Sequence, residues 1–302
     1  SKHKMKCEGQ YFCFLPLPKP TNFNVHVNGH FALDHESRRG LWSDGPKCVD
    51  SPRTMWNKYL LSSVIAPAYA TLIQKMQCML QKENSKDSDK DLRGYFNLFP
   101  TKKTDDIYSS TLATSLFRYM EQQRLDVLPV VHRYDDFQVE WMPVQGSAQQ
   151  GFFDNIAETL KEKESTSKPN KAASLRTTFL KSGLKLFTAP LEVREAFTKA
   201  GVMTTTIAPE HVLKYYQENP CAAGILPSPL HNTVFGTVEQ LVTVIQYCRK
   251  CDKFSDLIHS TPFLLLEDNT LQTLTIPTEV FLTKFYDLLP TSKNLFLHHS
   301  LH

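Results

Sequence analysis

Apolar and polar positions change period along the chain, and the changes mark a run of strands and helices. Phe12–Leu17 reads as a strand entering a bend at Pro16, Pro18 and Pro20, where the rings block any helix. Val25–Leu33 carries Asn28-Gly29 between strand formers, which predicts a hairpin pairing Val27 with His30, His26 with Phe31 and Val25 with Ala32. Ser51 and Pro52 supply an N-cap and a first helical residue. Leu60, Val64, Ala68, Leu72, Met76 and Leu80 then recur every fourth residue, flanked by Leu61, Ile65, Tyr69 and Ile73, predicting a wide buried face that Pro67 should kink or split near Ala66. A second helix over about 106–123 stripes Leu112, Leu116 and Met120. Leu128–Arg133 and Gln138–Pro143 read as strands around Tyr134-Asp135-Asp136.

The later part is more helical. Pro190–Gly201 and Pro209–Asn219 open on proline, and the first places Glu early, Lys late and Gly beyond, matching the helix dipole and its end geometry. Thr237-Val-Glu-Gln240 has capping-box spacing before Leu241, Val244, Ile245 and Cys248. Phe263–Leu266 and Leu271–Leu274 flank a polar turn at 267–270, and a last helix is expected over 279–289. Two stretches, 82–93 and 161–171, are polar with no apolar period and read as unstructured. The second follows a short amphipathic segment at Phe153, Ile156 and Leu160, so the chain is divided near 165. Residues 1–165 are expected to form an α+β subdomain and 166–302 a mostly helical α+β subdomain. With no regular βαβ alternation, the class is α+β, mixed sheets with packed helices, rather than a doubly wound sheet.

Composition narrows the function classes. The 302 residues are 41% hydrophobic and 22% charged, enough for a real core. Lys plus Arg (34) nearly balances Asp plus Glu (31), so no nucleic-acid partner is expected. Seven cysteines without regular spacing point to a reducing compartment, cytosolic or nuclear, with the cytoplasm expected. The most apolar run, Leu60–Ile73, is broken by Ser62, Ser63, Pro67 and Thr71, so no membrane span is expected. The first residue is not methionine, which suggests a piece of a longer polypeptide.

Candidate chemistry is sparse. Cys248-Arg-Lys-Cys251 would be half a zinc site, but no second pair exists and Cys248 already lies on an apolar helix stripe. His298, His299 and His302 lack companion ligands and read as solvated, and His26 and His30 as half-exposed strand residues. No GxSxG elbow, HExxH or phosphate loop is present, so no catalytic residue, metal or cofactor is expected. The polar stretch Asp34–Trp42 is the most suggestive, since Arg38 and Arg39 set two guanidinium forks beside an aromatic anchor. An ordinary surface arginine pair bridged to Asp34 or Glu36 would look the same.

Several longer stretches carry a resemblance: CFLPLP at Cys13–Pro18, VHVNGHFAL at Val25–Leu33, and ESRRGLW at Glu36–Trp42. VLPVVHRYDDFQVEWMP at Val127–Pro143 and TPFLLLEDNTLQTL at Thr261–Leu274 continue it. Together they resemble the large repeats of the sacsin family. That resemblance implies a cytosolic, neuronal chaperone scaffold whose repeats begin with a module similar to the ATPase of heat-shock protein 90. It also implies links to the heat-shock protein 70 machinery through other regions of the polypeptide. The ATPase module's asparagine-bearing helix and glycine loops are missing from this chain, so the resemblance implies the portion downstream of that module, and scarce glycine (11 residues) fits. Its expected role is non-enzymatic, coupling the preceding ATPase module to chaperone clients or cytoskeletal proteins. Arg38 and Arg39 are then candidate contacts to a nucleotide phosphate held by that module. The alternative is an independent hydrolase with a dispersed active site.

Overall fold

The strand-forming run before the first proline folds back at once. In the computed structural model, which describes residues 8–35, 38–44, 49–82, 88–133, 138–145, 149–153, 171–275 and 297–301, β1 (Gln10–Cys13) pairs antiparallel with β2 (Leu15–Pro20). Phe14 makes the reversal at a φ of 63°. The prolines therefore sit inside a strand instead of bending the chain. β2 is the outer strand of the sheet, where a missing N–H leaves no gap in the ladder.

The Asn28-Gly29 hairpin does not form. Val27–Asn28 is a short strand, β3, parallel to β1 in the register Tyr11↔Val27 and Phe12↔Asn28, and the Gly29 N–H donates to Phe12 O at 3.1 Å. The glycine serves close approach here, not a turn, because a Cβ would lie 3.0 Å from Leu60 Cδ2.

Ser51 caps α1 (Pro52–Tyr59) as expected, its hydroxyl accepting from the Thr54 N–H at 3.4 Å. The predicted kink takes the form of a π-helical segment, Leu60–Ile65, leading into α2 (Ala66–Lys82). Pro67 has no N–H to give Ser63 and its ring would crowd that carbonyl; the widened turn, with the Ala66 N–H bonding Leu61 O, accommodates both. The extra residue rotates the buried face. Leu60, Leu61, Tyr69 and Ile73 of the expected face are buried, with Asn57, Ala66, Ala70 and Gln77 beside them, while Val64 and Leu72 are 50% and 41% exposed. The expected loop over 82–93 is helical from Ser88, where α3 (Ser88–Phe96) buries Leu92, Tyr95 and Phe96. The apolar triplet at the helix's end provides the packing that its polar start lacks.

α4 (Ile107–Gln122), capped by Asp106, buries Leu112, Leu116 and Met120 as predicted, and β4 (Leu128–Arg133) pairs with β5 (Gln138–Met142). Residues 134–137 between those strands lie outside the described residues. Two compact units emerge from the backbone contacts. One comprises Ser1–Gly146 with Ala189–Thr204, and the other Ser147–Thr188 with Thr205–His302. The division expected near 165, Ile156 and Leu160, and the helix expected over 279–289 all fall outside the described residues.

Within the first unit, α6 (Leu191–Lys199), which follows α5 (Lys171–Lys181) in the chain, sets Phe197 against Phe117 with ring centroids 4.6 Å apart. Arg118 Nε donates to Ala200 O at 2.7 Å, closing the same contact. The second unit is built on α5, α7 (Pro209–Glu218) and α8 (Val238–Cys248) around Phe179, Phe187, Tyr216, Phe235 and Phe263. Its hairpin of Leu264–Leu265 and Thr270–Gln272 follows the predicted turn, with Asn269 at a φ of 61°. The class is α+β.

Candidate functional site

The Arg38 loop is anchored at both ends. Leu33 bridges to Leu41, the Asp34 N–H donates to Gly40 O at 3.0 Å, and the Trp42 N–H to Ala32 O at 2.8 Å. The Arg38 N–H returns to Asp34 O at 3.1 Å, which closes one turn and holds Arg38 at a φ of 50°. That left-handed backbone is uncommon outside glycine and is retained only where neighbouring bonds over-determine it. Arg38 and Arg39 are both exposed, and Arg39 engages a partner within the chain. Glu36, one of the acidic residues considered beside them, lies outside the described residues.

Below the loop, α1 supplies a polar clamp. Asn57 is fully buried; its Oδ1 accepts from the Ala32 N–H at 2.8 Å, and its Nδ2 donates to Ala32 O at 2.9 Å and Trp42 O at 3.3 Å. The Tyr108 hydroxyl also donates to Trp42 O. The aromatic anchor read from the sequence is present in this form: the Trp42 indole N–H donates to Ser51 Oγ at 3.1 Å and Asp44 Oδ1 at 3.3 Å, tying the loop to the helix cap.

Asp44 gathers the rest. It accepts from the Ser51 N–H at 2.6 Å and from the Thr54 hydroxyl at 2.7 Å. Hydrogen bonds from the Ser51 side chain and backbone, then from Thr54, hold its carboxyl down at about 2. Above the indole, the Arg53 guanidinium lies 4.9 Å from the ring centroid and donates to His35. Three arginines thus belong to this loop and its supporting helix turn. Arg38 presents an exposed fork on a backbone fixed at both ends, an arrangement suited to an anionic oxygen from outside the chain.

Asn57, Asp44 and Arg53 were not singled out from the sequence. Asn57 left little signal: α1 is polar along most of its length, and its two buried residues, Thr54 and Asn57, are both polar. Asp44 left none, since it lies seven positions before the cap it serves, outside any local capping pattern.

The other candidates stand apart. His26 is exposed and its Nδ1 accepts from the Gln10 N–H at 3.1 Å; His30 is exposed with its ring edge-on to Phe14 at 5.7 Å. Cys248 is fully buried on α8, where burial pushes its thiol pKa up and keeps it protonated. His298, expected in solvent, is only 6% exposed because the Leu297–Leu266 bridge and the bond from the His298 N–H to Leu265 O draw the segment onto the hairpin. The side chain of His299, and His302 as a whole, lie outside the described residues. No group of three or more His, Cys, Asp or Glu able to hold a metal occurs among the described residues, and no described helix is long and apolar enough to cross a membrane.

Comparison with known proteins finds human sacsin, 26% identical over 337 aligned positions that cover 98% of this chain and 7% of the relative. The chain is thus similar to a region of sacsin along almost its whole length and spans a small fraction of that relative's length. No protein-family model matches the chain, and no solved structure matches it.

Proposed function

We propose that this chain is a non-enzymatic coupling module of a cytoplasmic chaperone scaffold, passing the state of a neighbouring nucleotide-binding module to bound protein partners. The observation that carries the reading is the likeness to sacsin along 98% of the chain. In this reading the neighbour is the heat-shock-protein-90-like ATPase module that precedes it in the same polypeptide. The partners are chaperone clients or cytoskeletal proteins, and the heat-shock protein 70 machinery is reached through other regions.

Arg38 is the residue through which the two modules communicate, with Arg39 beside it. A guanidinium offered from a neighbouring domain neutralises charge on a terminal phosphate, and it acts best when its backbone is already fixed. Support for Arg38 comes from the anchored loop and from its exposure; the module itself supplies no reacting group.

The test joins the preceding module to this chain and measures affinity for ATP and for ADP, with hydrolysis as a second readout. Arg38→Ala with Arg39→Ala is expected to remove most of the preference for ATP, about tenfold for one charge-assisted contact to the γ-phosphate. An unchanged ratio of ATP to ADP affinity would remove both arginines from nucleotide sensing. Binding of unfolded proteins or filaments that is absent in every nucleotide state would overturn the coupling role.

A further inference from the structure

The first sheet runs in the order β2-β1-β3, so β3 is its open edge and, among the described residues, no strand covers it. The parallel register directs the N–H and C=O of Val27 to β1, and the Gly29 N–H follows the same side to Phe12 O. By strand alternation the backbone groups of His26 and Asn28 point away from β1, an unpaired edge of the kind that accepts another chain.

That edge is one wall of a groove of about 310 Å³. The opposite wall is the face that the π turn rotated outward, Val64, Ile65, Ala68 and Leu72, and Val25 continues the apolar lining. No Asp, Glu, Lys or Arg lines it. Val64, Ala68 and Leu72 step along the helix four residues at a time, about 6 Å per step. An added strand sets same-face side chains about 6.7 Å apart, so alternate side chains would meet successive rungs of this wall.

We propose that this groove binds an extended, uncharged peptide segment with aliphatic residues at every second position, added as a strand to the edge at His26 and Asn28. Its backbone amides pair with those two residues, and its apolar side chains lie on Val64, Ala68 and Leu72. The uncharged lining complements an uncharged ligand, and the strand edge selects an extended backbone over a helix. This inference concerns residues other than the Arg38 loop and stands without the phosphate reading.

The probe is a fluorescein-labelled eight-residue peptide with valine at every second position and serine between, titrated with the full chain and followed by anisotropy. Saturable binding is expected, weakened at least about tenfold when the backbone amides facing the edge are N-methylated, and by a similar factor in Leu72→Asp. Leu72 is 41% exposed, so the substitution leaves the core intact; Val64→Asp, at a residue 50% exposed, gives a second variant whose circular dichroism must match the unsubstituted chain. No saturable change at millimolar peptide, or equal affinity for the N-methylated peptide, overturns the proposal. A dimer of the chain that dissociates on Leu72→Asp would assign the groove to a second copy and overturn it as well.

Discussion

Asn57→Ala isolates the clamp under the Arg38 loop. The substitution removes three hydrogen bonds, but the three are not equal. Trp42 O retains the Tyr108 hydroxyl and Ala32 O retains the Trp42 N–H, so each carbonyl keeps a partner. The Ala32 N–H alone loses its acceptor. An orphaned, part-buried N–H costs about 2 kcal/mol and each secondary bond about 0.5 kcal/mol, so the total is about 3 kcal/mol. All three tryptophans, Trp42, Trp56 and Trp141, belong to the unit comprising Ser1–Gly146 and Ala189–Thr204, so tryptophan fluorescence in a urea titration reports on that unit alone. With a slope of about 2 kcal/mol per molar urea, the midpoint should fall by about 1.5 M. Asn57→Asp sharpens the test. It keeps an acceptor for the Ala32 N–H but turns a carboxylate oxygen toward two carbonyl oxygens, which raises the folded-state pKa of the new carboxyl. The variant's extra instability is therefore absent below the unfolded carboxylate pKa of about 4 and grows as pH rises toward the folded value. A midpoint shift under about 0.3 M for Asn57→Ala, or an Asn57→Asp defect that does not change with pH, would refute the clamp.

Further expectations concern the helix register and the acid limit. Ile73→Ala should cost about 3 kcal/mol, since Ile73 is fully buried, whereas Leu72→Ala should stay within about 0.5 kcal/mol. Equal urea midpoints for the two variants would show that the π turn does not set the buried face. The depressed Asp44 carboxyl contributes stability that is complete above its unfolded pKa and is lost as pH falls from about 4 through the folded value of about 2. Asp44→Asn should be less stable than the unsubstituted chain at neutral pH, and the gap should close across that window; a gap constant from pH 5 to pH 2 would exclude the Asp44 bonds as its source.

Local chemistry was legible in the sequence wherever a residue acts on its own neighbours. The Ser51 cap with Pro52, the helices opening at Pro190 and Pro209, the stripe Leu112, Leu116 and Met120, and the turn at 267–270 depend on bonds within a few residues, and the structure has them. The outcomes that differed all involve a distant partner. Asn28-Gly29 has the makings of a tight turn, yet Phe12 competes for the same backbone groups and no hairpin forms. Pro16, Pro18 and Pro20 look like breakers until β1 makes their segment an outer strand.

The buried face of the long helix is the sharpest case. The wide apolar face took in Val64 and Leu72 together with Leu61, Tyr69 and Ile73, and Pro67 announced a break, but the form of that break was not written in the spacing. With the π turn adding one residue, the flank at Leu61, Tyr69 and Ile73 is buried as expected, and Val64 and Leu72 are left exposed. The arginine pair was visible from its residues alone. Its clamp was not, because Asn57, Trp42, Tyr108 and Asp44 meet only when α1 and α4 pack beneath the loop. Short-range preferences are properties of residue types, whereas register, edges and buried polar partners arise from competition among segments that the folded chain brings together.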